Sequence, residues 1–275
     1  MMTLPIHDNH LHLSPSGRNI DALREYKTAG GTGLTLVTLP YPEVRITCGD
    51  DFRKSFQITV DFAEKARELG LKVYTAVGPY PILLISLAEQ YGMEKAEQIM
   101  TDGMRIAAEF INEGKADLMG EVGRPHFDTD QKYVDACNRV LQYGMDLAHE
   151  GDFAVMIHCE SEDYTCKSLS DMAKSSGLSP GKVIKHSSPP WVTEDEVHGV
   201  MTSIPASRSL MREALSKGDM FMIETDFIDD PAKPGAMMSV NTVPKRIKAF
   251  VSSGELTEEQ VYRICQDIPD DLYGR

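Results

Sequence analysis

Short apolar runs recur along this chain, separated by longer stretches in which apolar residues return every three or four positions. The runs are Ile6–Leu11, Leu34–Leu39, Val73–Val77, Ala116–Val122, Phe153–His158, Val183–His186, Val200–Pro205 and Met220–Thr225. Runs this short, bounded by turn residues, predict buried strands. The stretches between them predict helices over Ile20–Ala29, Asp51–Leu69, Ile82–Tyr91, Glu94–Glu113, Gln131–Glu150, Tyr164–Ser176, Ser209–Lys217, Asn241–Ser252 and Glu258–Asp267. Several of these stop at a glycine: Gly30, Gly70, Gly151, Gly177 and Gly218. Glycine is the residue that most easily takes the left-handed turn ending a helix.

Strand–helix alternation of this kind implies parallel strands joined by crossover helices. Eight such units predict an α/β fold of the (β/α)8 TIM-barrel type, expected as one domain over residues 1–275. A doubly wound open sheet is the alternative, but no glycine-rich phosphate loop follows the first run.

In a barrel of this kind, chemistry gathers at the C-terminal ends of the strands. The first run ends His10-Leu11-His12, and side chains two apart in a strand share a face, with Asp8 on the same side. The fourth ends Gly120-Glu121-Val122-Gly123, the fifth Ile157-His158, the sixth Lys185-His186 and the eighth Glu224-Thr225-Asp226. Four imidazoles and two carboxylates therefore converge on one rim. Each residue alone has an ordinary structural explanation; Asp226, for example, could cap a following turn. Their joint placement is what points to metal chemistry. Six donors exceed the need of one tetrahedral ion and suit two divalent ions sharing a bridge. Glu121 is the natural bridge, because a carboxylate offers two oxygens and an imidazole one free lone pair. His10, His12 and Asp226 are then assigned to one ion, and His158 and His186 to the other.

His126 lies on a loop at the same rim and is a candidate substrate contact. His7 is expected to face away from His10, and His149 and His198 to face solvent. Cys159 is turned out of the barrel by alternation and reads as a small buried hydrophobe.

At these residues the chain resembles the TatD-like metal-dependent hydrolases of the amidohydrolase superfamily. Asp8-Asn9-His10-Leu11-His12 is similar to that family's opening Asp-x-His-x-His. Gly120-Glu121-Val122-Gly123 is similar to its Gly-Glu-Ile/Val-Gly, and Glu224-Thr225-Asp226 to its Glu-Thr-Asp, with His158 and His186 as the strand-end pair. The resemblance implies a two-metal site in which activated water is the nucleophile and Asp226 orients that water and accepts its proton. It also implies a hydrolase, with a deoxyribonuclease acting on DNA ends as the named activity.

The residues around the core depart from that pattern. Arg124-Pro125 stands where the family nucleases have Leu-Asp, and Glu160 where they often carry Arg. A carboxylate there is expected to repel a phosphodiester. Arg124 is a candidate anion contact or the member of a surface ion pair. Trp191, the only tryptophan, is a candidate stacking residue or a packed loop anchor. These departures leave a small phosphoester, amide or lactone as the alternative substrate. A metal-binding protein without catalysis is the alternative outside enzymes, opposed by the presence of Asp226. The cofactors expected are two divalent ions, Zn, Mn or Mg.

Composition narrows the partners. The chain holds 28 basic and 42 acidic residues, a formal charge of −14, which argues against a large nucleic-acid footprint. Five cysteines, an odd number with no CxxC pair, predict reduced thiols and a cytoplasmic protein. Met1-Met2-Thr3-Leu4-Pro5 lacks a basic segment followed by an apolar one, so no signal peptide is expected. The apolar stretch Tyr80–Ala88 is too short to cross a bilayer, and no membrane partner is expected. Oligomeric state is not written in the pattern.

Overall fold

The computed structural model of the protein describes residues 4–274, apart from 233, 234 and 236. Residues 1–3, part of the segment read above for a leader, lie outside the described residues. Nine parallel strands form one sheet: β1 His7–His12, β2 Gly33–Val37, β3 Lys72–Val77, β4 Leu118–Gly123, β5 Val155–His158, β6 Val183–Lys185, β7 Met201–Pro205, β8 Met222–Glu224 and β9 Phe227–Ile228. Between them lie helices α1 Ile20–Ala29, α2 Asp51–Glu68, α3 Leu83–Tyr91, α4 Met93–Asn112, α5 Gln131–Gly151, α6 Thr165–Ser175, α7 Glu194–Val197 and α8 Arg208–Lys217. Helices α9 Thr242–Ser253, α10 Glu258–Tyr262 and α11 Ile268–Tyr273 follow. This is the TIM-barrel-like α/β architecture that the alternation predicts.

The eighth apolar run differs from the expectation of one continuous strand. Only Met222–Glu224 of it forms β8, which pairs with β7, and a further short strand beyond it, β9, pairs with β1 through Leu11–Phe227 and His12–Ile228. The ring is drawn together at this split: Asp226 N donates to His10 O at 2.9 Å, and the Asp8 carboxylate accepts from Thr225 N at 2.9 Å and from Thr225 Oγ1 at 2.6 Å.

Small and apolar side chains fill the barrel interior, among them Ala76, Leu118, Met156, Ile184 and Met222. Ile268 and Tyr273 of α11 join this cluster. The Tyr273 hydroxyl donates to Asn9 Oδ1 at 3.0 Å and so ties the last helix to β1. Larger apolar clusters fill the layer between the strands and the helices, and Cys159 belongs to one of them. The C-terminal helical stretch does not run straight through Asp267 as periodicity suggests. A π turn over Arg263–Asp267 interrupts it. Pro269 follows, which lacks a backbone donor and crowds the carbonyl four residues back. Widening the helix there accommodates both effects.

Candidate metal centre

The six converging residues reach the rim from five different strand ends, and the backbone is irregular where it aims them. The register of β1 against β2 shifts between Asp8 and Leu11, around His10. The register of β4 against β5 shifts between Met119 and Val122, around Glu121. Bulges of this kind re-aim side chains at the rims of barrels. Asp226 occupies the break between β8 and β9 with φ +51°, a left-handed conformation uncommon outside glycine.

The donor atoms fall into two groups. His10 Nε2 and His12 Nε2 are 3.0 Å apart. Glu121 Oε2 lies 3.6 and 3.8 Å from them, and Asp226 Oδ1 3.7 and 3.5 Å. Ligands bonded to one tetrahedral ion at about 2.0–2.1 Å sit roughly 3.4 Å from one another. In the second group His158 Nδ1 and His186 Nε2 are 3.1 Å apart. The other Glu121 oxygen, Oε1, contacts both, at 3.0 Å from His186 Nε2. The two oxygens of one carboxylate thus face separate donor sets, and His10, His12 and Glu121, like Glu121, His158 and His186, could hold a metal ion.

Every imidazole has its remaining nitrogen occupied. His12 Nδ1 lies 2.9 Å from Val37 O, which fixes its proton there. His186 Nδ1 faces Glu224 Oε1 at 3.3 Å, and the same oxygen accepts from Ser187 N at 2.8 Å. His10 Nδ1 faces Met156 Sδ at 3.0 Å. His158 Nε2 lies 2.7 Å from His126 Nδ1. Outer partners of this type hold each ring in the orientation that turns its other nitrogen toward the cluster.

Burial disfavours charge throughout the cluster, and the neighbours decide which groups stay ionised. Burial pushes the Glu121 carboxyl up, but His186, His10 and His158 hold it well below the usual range. Asp226 is lowered in the same way, with His12 as the main opposing partner. His10 is lowered by burial and by His186. Burial opposes charge on His186 too, yet Glu121 and Glu224 raise it to about 10. Both cluster carboxylates are therefore in the ionised, ligating form.

Beside the donors opens a cavity of about 430 Å³, reached by His12, Glu121, His158 and Asp226. Its other walls include Ser14, Leu39, Pro40, Tyr80, Ile228 and Asp230, and its lining holds no lysine or arginine among the described residues. The Tyr80 ring packs edge-on against His158 with centroids 5.2 Å apart. Burial, together with Glu121 and Asp226, pushes its phenol upward, so the hydroxyl keeps its proton.

The four substrate candidates part company. His126 reaches the cluster through His158. Arg124 and Glu160 meet each other: Nε to Oε2 at 2.8 Å and the terminal nitrogen to Oε1 at 2.6 Å. Asn138 and Ser168 take the other guanidinium nitrogen. The pair is largely buried, its side chains 6% and 17% exposed, and the Glu160 charge is balanced by Arg124. Trp191 packs against the core, its carbonyl accepting from Thr202 Oγ1 at 2.8 Å, and it is not part of the cavity wall. Three residues were not assigned roles from sequence. Glu224 shares a strand face with Asp226, Asp8 shares one with His10, and Tyr80 follows directly beyond β3; period two and the strand-end rule are the signals that point to them.

A barrel carrying this histidine and carboxylate cluster at its strand ends has the form of a metal-dependent hydrolase. A model of the TatD-related DNase family matches residues 7–274, and the chain belongs to that family. The uncharacterised protein MJ1127 of Methanocaldococcus jannaschii is 31% identical over 277 residues, covering 99% of this chain and 97% of its own length. Among solved structures, the TatD homologue YjjV of Escherichia coli K12 superposes over the whole of both chains with TM-score 0.69 at 17% identity. The organophosphorus hydrolase of Deinococcus radiodurans superposes with TM-score 0.63 at 15% identity, over 98% of this chain and 93% of its own. Both structural likenesses are to the fold. Among the described residues no helix is long and apolar enough to cross a membrane.

Proposed function

We propose that the protein is a two-metal hydrolase in which His10, His12 and Asp226 hold one divalent ion, His158 and His186 hold a second, and Glu121 spans both. The observation that carries this reading is the division of Glu121, with Oε2 toward the first donor set and Oε1 toward the other. Bound there, such ions supply acidified water and neutralise charge on the attacked oxygen. Imidazole-rich donors suit Zn or Mn, and the carboxylates also admit Mg.

The chain's own residues do the rest. Asp226 borders the cavity, where its carboxylate orients the water and accepts its proton. Val37 O, Glu224, Met156 and His126 keep the four rings aimed. The cavity walls position the substrate.

A deoxyribonuclease acting on DNA ends is the reading favoured by the family match. The small-substrate reading is favoured by the cavity, whose lining among the described residues holds none of the cations that grip a phosphate chain. We place the protein in the cytoplasm, on the strength of five unpaired cysteines. The test is metal analysis of protein purified without chelator, together with turnover before and after Asp226→Asn. We expect two ions per chain and a loss of about 10²–10⁴-fold in kcat in the variant. Protein that takes up neither Zn²⁺, Mn²⁺ nor Mg²⁺ would overturn the assignment.

A further inference from the structure

The cavity's walls differ from its floor, and that difference bears on what is hydrolysed. Beyond the donor atoms the lining offers hydroxyls, apolar side chains and carboxylates, with no lysine or arginine among the described residues. Asp229 is committed to the backbone, accepting from Arg18 N at 2.9 Å and Asn19 N at 2.6 Å. Asp230 accepts from Ala232 N at 2.9 Å. Arg124, the candidate anion contact, is engaged by Glu160, Asn138 and Ser168. Among the described residues, an anionic group seated in this cavity outside the donor cluster would meet no cationic side chain in the lining.

From the Pro40 and Tyr80 side of this cavity an open apolar groove runs on, lined by Pro40, Tyr80, Ile82, Ile85 and Phe127 and about 380 Å³ in volume. Phe127 is 46% exposed there. Groove and cavity share Pro40 and Tyr80, so one small molecule can occupy both. Tyr80 borders both. Its ring is held against His158, and its hydroxyl forms no hydrogen bond among the described residues.

We propose that this site hydrolyses small uncharged carboxylic esters or lactones, seating the apolar part of the substrate in the Pro40–Phe127 groove while the Tyr80 hydroxyl donates to the carbonyl oxygen. The inference rests on the hydrolase reading and names its substrate class. The balance is that of ester hydrolysis. The water oxygen bonds to the carbonyl carbon, and Asp226 accepts one water proton. The acyl carbon–oxygen bond breaks, and that proton passes to the leaving alkoxide, giving a carboxylic acid and an alcohol. As oxygen charge develops, Tyr80 supplies a neutral donor where a phosphodiester would require a cation.

The experiment compares metal-reconstituted wild type and Tyr80→Phe on p-nitrophenyl butyrate, δ-valerolactone, bis-p-nitrophenyl phosphate and labelled single-stranded DNA. A second arm follows binding of δ-valerolactam, an unreactive neutral mimic, and of inorganic phosphate to the metal-free protein by calorimetry. The neutral ester or lactone should exceed both phosphodiesters in kcat/KM by at least about 100-fold. Tyr80→Phe should lower kcat/KM by roughly 10²-fold with metal content unchanged. The lactam should bind the metal-free wild type and bind the variant more weakly, whereas phosphate should not bind. Faster, Asp226-dependent cleavage of DNA or of the phosphodiester would overturn the substrate class and leave the hydrolase reading standing. So would a metal-loaded protein inert toward every ester and lactone. A protein that binds no metal would overturn both.

Discussion

His126 Nδ1 lies 2.7 Å from His158 Nε2, so one histidine holds the outer nitrogen of another whose Nδ1 faces Glu121. For Nδ1 of His158 to offer a lone pair, the proton must sit on Nε2 and be donated to His126. His126 thereby does for His158 what Glu224 does for His186. Replacing His126 with alanine leaves the ring free to turn and to change tautomer. Affinity for the second ion is then expected to fall about 10–100-fold, with the first ion bound as in wild type. Stepwise calorimetric titration of metal into the metal-free protein resolves the two. Equal weakening of both ions, or of neither, would count against a local role.

The Arg124–Glu160 pair makes a stability prediction. Their side chains are 6% and 17% exposed and meet through two parallel hydrogen bonds. Removing one partner of such a pair strands a charge, which costs far more than the pair itself contributes. Glu160→Leu alone is expected to destabilise the metal-free protein by about 3 kcal/mol. The double variant Arg124→Met, Glu160→Leu should recover most of that loss. Denaturant unfolding of the single and double variants gives the coupling directly. Equal losses in both would mean that Arg124 finds another partner.

Much of the site was legible because it depends on local periodicity. The alternation of His10 and His12, and the placement of Glu121, His158 and His186 at the ends of apolar runs, need only the geometry of a strand and the polarity of a barrel. The split between β8 and β9 was not legible. It depends on Asp226 adopting φ +51°, which the closing hydrogen bond from its amide to His10 O accompanies and no local preference of aspartate dictates. The Arg124–Glu160 pair lies beyond local reading for a similar reason: its partners sit on different βα loops and meet only after β4 and β5 align. Glu160 read alone suggests repulsion of a phosphate, whereas in the fold its charge is already neutralised.

His7 points away from the metal cluster, and its Nε2 lies 3.0 Å from Thr35 Oγ1 in a fully enclosed site. Burial, reinforced by Lys72, lowers its pKa to about 3. The unfolded chain takes up this proton near the ordinary histidine value of about 6.5. Between those two values the unfolded state holds more protons, so stability declines as pH falls through that window and is unaffected by this group above it. His7→Gln keeps a nitrogen near Thr35 and removes the titration. Wild type should lose about 2 kcal/mol more than the variant between pH 7.5 and pH 5, measured by urea unfolding of the metal-free protein. Equal losses would show that His7 can charge without unfolding.

Gly123 closes β4 where that strand meets His158, and the approach leaves no room for a side chain. Its φ is +139°, and a Cβ there would lie 2.0 Å from His158 O, the carbonyl that accepts from Arg124 N at 2.9 Å. Gly123→Ala therefore adds both backbone strain and a clash with a neighbouring strand, and neither backbone can move without shifting Glu121 or His158. A loss of at least about 3 kcal/mol is expected, together with weaker metal binding. Gly254→Ala is the matched control. Gly254 also has a positive φ, +74°, but nothing lies within 4 Å of the added carbon. It should cost only about 1 kcal/mol and leave metal binding intact. The difference between the two variants isolates the close approach of β4 to β5, and equal effects would mean that the strand ends adjust without disturbing the donors.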